Sequence, residues 1–179
     1  MEFFLGQSKV NLQASQTSMD KIAPALKVMR RANLVAWPTL LVGLANGWCT
    51  KYALIEHAEE CLDKYSDEID VDLVSIVAGA SLPESELVDL ALHYLDVHGM
   101  ALSPEHKQDT KEKWRFAHLS ALLEETASDE EKIDRLQELY SEFGFPDDMA
   151  SCSIYNADQI DPLHAAKNVL QELSKKLKD

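Results

Sequence analysis

Apolar residues recur at three- and four-residue spacing along most of the chain, and no alternating run of β-branched residues interrupts them. That period belongs to helices with one face in a core, so the pattern predicts an all-α protein. The first helix is expected from about Asp20 to Asn33, with Ser18 or Asp20 as cap and Pro24 in or near its first turn, where a missing N–H matters least. A short apolar helix follows Trp37–Pro38 and stops near Asn46–Gly47. Thr50 is expected to cap a helix to about Tyr65, and Asp70 or Asp72 another to about Gly79. Pro83 marks the first turn of a helix reaching His98–Gly99, and Ser103–Pro104–Glu105 opens a long one that ends near Thr126. Ser128 and Glu131 have capping-box spacing ahead of a helix to Phe143. A last helix, from about Asp161 to Leu177, closes on Lys175, Lys176 and Lys178, cations that suit the negative end of the helix dipole. With no fixed-period repeat and no low-complexity linker, residues 1–179 are expected to form a single-domain helical bundle of about seven to nine helices, with residues 1–18 as an irregular N-terminal segment.

The stretch ELYSEFGFPDDM, Glu138 to Met149, is expected to stop a helix. Gly144 can adopt the left-handed conformation that closes it, and Pro146 prevents its resumption while allowing a new turn at Asp147–Asp148. Phe143 and Phe145 are expected to pin the break to the core.

Composition narrows the function classes. A chain of 179 residues can bury a sizeable core without a staple. Its three cysteines, Cys49, Cys61 and Cys152, form no close-spaced pair, and with no secretory leader in view they point to a reducing compartment, the cytoplasm. The most apolar run, Leu34 to Ala45, is broken by Pro38 and falls short of the ~20 residues a membrane span needs. A net charge of −14 opposes binding to phosphate backbones, so no direct nucleic-acid partner is expected. The charge is uneven: residues 1–34 hold five Lys/Arg against two acids, whereas residues 35–100 hold two Lys against twelve acids.

The excess centres on TKYALIEHAEECLDKY, Thr50 to Tyr65. On a helix, Leu54, Ile55, Ala58, Cys61, Leu62 and Tyr65 form an apolar stripe. Glu56, Glu59, Glu60 and Asp63, at i, i+3, i+4 and i+7, form one row of carboxylates on the other side. Four like-charge pairs at ~0.2–0.5 kcal/mol each, set toward the helix C-terminus, oppose the helix, and only Glu60 with Lys64 offers an offset. By contrast Asp129, Glu130 and Glu131 fall in a first turn, where acids stabilise. The row runs on into Asp67, Glu68, Asp70 and Asp72. It reads either as a solvated face or as a surface that docks a basic partner by complementary charge.

Other candidates are weaker. Arg115 and His118 fall within the apolar arc of Trp114, Leu119 and Leu122, so Arg115 is expected in a core-edge ion pair and His118 as a hydrogen-bonded core histidine. His57 and Cys61 could share a metal, but two ligands do not make a site, and Asp89, His93, His98 and His106 have no HExxH or paired CxxC around them. Cys152 would be reactive only at a helix start. There is no Gly-rich phosphate loop and no GxSxG elbow, so neither cofactor nor metal is expected, and an enzyme would need an unrecognised carboxylate or histidine site.

Lys113–Trp114–Arg115 on the long helix, followed by Leu139–Tyr140, Phe143, Gly144–Phe145–Pro146, Met149 and Tyr155, resembles a bacterial family known only as a domain of unknown function, numbered 2247. The resemblance covers roughly Trp37 to Tyr155; by their own helical pattern and stop chemistry, Trp114, Arg115, His118, Tyr140, Phe143, Gly144 and Pro146 read as structural. The family carries no established catalytic residues. What it implies is a connection with immunity proteins, which bind and block a bacterial toxin domain. The expectation is therefore a non-enzymatic cytoplasmic protein that neutralises a cognate toxin, basic and nuclease-like, through Glu56, Glu59, Glu60, Asp63, Asp67, Glu68, Asp70 and Asp72. A helical adaptor or scaffold, or an enzyme with an unrecognised site, is the alternative.

Overall fold

The computed structural model describes residues 24–64, 70–100, 104–156 and 160–177, and all of its regular elements are helical. They are α1 (24–31), α2 (Trp37–Ala45), α3 (Lys51–Lys64), α4 (Val71–Ala78), α5 (Glu84–Val97), α6 (Pro104–Glu124), α7 (Asp129–Glu142) and α8 (Pro162–Lys176), with short 3-10 turns at Gly79–Ser81 and Asp147–Cys152. The expected irregular segment 1–18, the start of the first helix and the Ser103 cap lie outside the described residues, as do Lys178 and the side chain of His106.

The caps follow the chemistry of the sequence. Asp70 accepts from the Asp72 and Leu73 amides at the start of α4, and Ser128 and Glu131 form the full capping box of α7. Asp161 caps α8 through the His164 amide, while Lys175 and Lys176 occupy its last turn. Four helices end alike. At Asn33, Gly47, Gly99 and Gly144 a residue with positive φ is followed by an amide that reaches back five residues: Leu34 to Met29, Trp48 to Gly43, Met100 to Leu95 and Phe145 to Tyr140. This is the Schellman closure, which satisfies carbonyls that the helix leaves open.

α6 is the partition of the bundle. Trp114, Ala117 and Ala121 face one core built from α1 to α5, whereas Leu119 and Leu122 face a second, built with Leu136, Met149 and the apolar side of α8. Against α2 the approach is close. The Trp114 indole donates to the Thr39 carbonyl at 2.8 Å, and a Cβ at Gly43 would stand 2.3 Å from its ring. Glycine here makes room for an aromatic ring; its φ is not the reason.

Candidate functional site

α3 buries Ala53, Leu54, Ile55 and Ala58 and leaves Glu56, Glu59, Glu60 and Asp63 exposed, as the stripe required. Cys61 and Leu62 are half-buried. The energetic expectation needs correction. It is not Lys64 but Arg30, on α1, that offsets the row: its guanidinium donates to Glu56 at 2.5 Å and to Glu60 at 2.9 Å. All three side chains are substantially exposed, so each pair contributes less than about 1 kcal/mol. Two more of the eight carboxylates have local duties. Asp70 caps α4 and its second oxygen lies 3.0 Å from Nε2 of His98, and Asp72 sits in the first turn of α4, where the dipole favours it. Among the described residues Glu59, Asp63 and Asp72 have no cationic partner. Asp67 and Glu68 lie outside them.

Beside this row an open cleft of about 1080 Å³ is bounded by α3, the start of α4 and the end of α5. Four rings line it in sequence: His57 edge-on to Trp37 at 4.9 Å, Trp37 to Tyr94 at 5.2 Å, and Tyr94 to His98 at 4.4 Å. Glu60 lies 3.7 Å from Nδ1 of His57, which joins the acidic row to the cleft edge. Sγ of Cys61 is 3.9 Å from Nε2 of His57. Burial pushes the Cys61 thiol up and the His57 imidazole down, so both are held in their neutral forms rather than as thiolate and imidazolium. No group of three or more His, Cys, Asp or Glu side chains gathers as a metal would require among the described residues.

Arg115 is buried and makes the expected core-edge pair, a fork onto both oxygens of Asp148 at 2.8 and 2.6 Å. His118 departs from expectation: no hydrogen bond reaches its Nε2, and it is packed instead among Trp48, Trp114 and Phe143. Phe145 also departs. Phe143 is half-buried against Trp48, but Phe145 is 60 % exposed at φ 56°, edge-on to Tyr140, so only one of the two phenylalanines pins the break. Pro146 opens the 3-10 turn that carries Asp148 and ends at Cys152. Cys152 is fully buried and its thiol is pushed up to about 11, first by desolvation, which leaves it inert. Asp89 and His93 are exposed on α5.

Sequence reasoning missed Arg30 and the cleft. Val97 and Met100 carried a faint signal, two apolar residues flanking the His98–Gly99 helix end, but the concavity arises only when three helices meet.

No helix among the described residues is long and apolar enough to cross a membrane. A family model described as an uncharacterized protein conserved in bacteria (DUF2247) matches residues 27–179. No curated protein and no solved structure matches the chain.

Proposed function

We propose that this chain, which belongs to the DUF2247 family of proteins conserved in bacteria, is a non-enzymatic cytoplasmic binding protein of the immunity kind, whose acidic α3 face docks a basic toxin domain. The observation that carries this reading is the row itself. Four exposed carboxylates share one face of α3, and Glu59 and Asp63 keep their mutual repulsion with no cation among the described residues to relieve it. A basic partner would supply that relief, and the field of the row would speed encounter with it. Burial raises the Cys61 thiol above its ordinary value, which does not favour a thiolate nucleophile beside the row.

Because Arg30 ties Glu56 and Glu60 to α1, the informative variant is Glu59→Gln with Asp63→Asn, which leaves those bonds intact. The test is co-purification with the toxin-like domain encoded beside its gene, at low and high salt. A complex that weakens with added salt, and weakens further in the variant, is the expected result. A complex insensitive to both would identify an adaptor with an uncharged interface, and no complex at either salt would refute the immunity role.

A further inference from the structure

The cleft beside the carboxylate row has the anatomy of a docking groove, with an apolar centre and a charged edge. Around its mouth Val71, Val97 and Met100 are 72, 59 and 41 % exposed, above the buried rings of Trp37 and Tyr94. Single exposed apolar side chains are ordinary, but three on one concave surface mark a place where another surface belongs. The edge is acidic. Asp70 and Asp72 line the cleft, and α3, which forms one wall, carries Glu56, Glu59, Glu60 and Asp63. Among the described residues, the basic side chains that line it or bond to its edge are Arg30, His57, Lys64 and His98; of these Arg30 and His98 are already bonded to carboxylates, and His57 lies 3.7 Å from Glu60. Charge therefore selects a basic occupant. Among the described residues no strand offers a sheet edge for an extended peptide to pair with, which favours recognition through side chains.

We infer that this cleft seats the apolar face of a helix from a basic partner, with that helix's flanking Lys and Arg over the carboxylates of α3 and α4. A helix projects apolar residues at i and i+4 from one side and cations from its margins, which matches a groove with this centre and this edge. The inference rests on the basic-partner reading above, and adds where the apolar contact is made and which element makes it.

The test is an NMR titration of the 15N-labelled full chain with a synthetic amphipathic helix of about 18 residues, roughly five turns, with Leu on one face and Lys on the other. A second peptide carries Glu in place of Lys. Shifts are expected at Val71, Val97, Met100 and the Trp37 indole N–H, with affinity roughly tenfold weaker for the Glu peptide and roughly tenfold weaker in the double variant Val97→Gln/Met100→Gln. Both positions are exposed, so the variant keeps its fold, which its circular dichroism checks. Shifts confined to other surfaces, or an unchanged affinity in the cleft variant, overturn the inference. The toxin domain separates it from the reading beneath it. If that domain binds wild type and cleft variant equally, the groove is wrong and the immunity role stands. If the Lys peptide maps to the cleft but the toxin domain does not bind, the groove stands and the immunity role falls.

Discussion

Burial among Trp48, Trp114 and Phe143 pushes the pKa of His118 down to about 4, with the nearby charge of Arg135 adding to the effect. An unfolded histidine titrates near 6.5, so between about pH 6.5 and 4 the unfolded chain binds a proton that the folded chain refuses. Stability is therefore lost as pH falls through that window, by up to about 3 kcal/mol from this residue. His57, lowered mainly by burial, adds loss of the same sign. Urea unfolding at pH 7 and pH 4.5 should show the loss, and His118→Phe should reduce it; a variant with an unchanged difference would refute the account. Arg115 is the second test at this scale. Asp148→Asn removes the anion from a buried guanidinium whose Nε already has no partner, and should cost about 1–3 kcal/mol in the same assay. Asp147→Asn, one residue away on an exposed side chain, should leave stability nearly unchanged. That Arg115 needs a carboxylate was legible from its place in an apolar arc. That Asp148 supplies it was not, because thirty-three residues and a chain reversal separate the two.

Helix ends were the most legible elements. A Schellman closure favours glycine or asparagine, which tolerate positive φ, after an apolar run, and α1, α2, α5 and α7 all end near where those residues fall. The two residue types are not equivalent there. Gly144→Ala places a Cβ at φ 76° and should cost about 1 kcal/mol, whereas Asn33→Gly relieves a side chain at φ 55° and should be neutral or stabilising by a few tenths, both read from thermal melts. A larger loss at Asn33 would mean that its side chain carries a contact beyond the turn. Phe145 escaped the sequence reading at this scale. Its position after Gly144 looked like an anchor, yet its amide closes α7 while its own positive φ turns the ring outward against Tyr140. Local pattern identifies the turn; the side on which its aromatic emerges depends on the backbone torsions within it.

Across the whole molecule, charge and packing answer to different rules. The α3 row is tolerated rather than required, so Glu59→Gln/Asp63→Asn should raise stability at low salt by a few tenths to about 1 kcal/mol, and the gain should vanish at high salt. Destabilisation instead would mean that the row holds the fold together and is not kept for a partner. Two cores share α6, which explains why that helix is apolar on two sides and why Gly43 must yield space to Trp114. The amino-acid sequence by itself determined the all-α class, the approximate helices, the caps of α4, α7 and α8, and the amphipathic division of α3, because helical period, capping and closure are local rules acting over four or five residues. Only the tertiary structure decided that Arg30 neutralises half of the α3 row, that Asp148 completes Arg115, that His118 is ringed by aromatics, and that Val71, Val97 and Met100 meet around one cleft. These depend on which faces of distant helices come together, and that choice is made by the burial of the whole apolar surface at once.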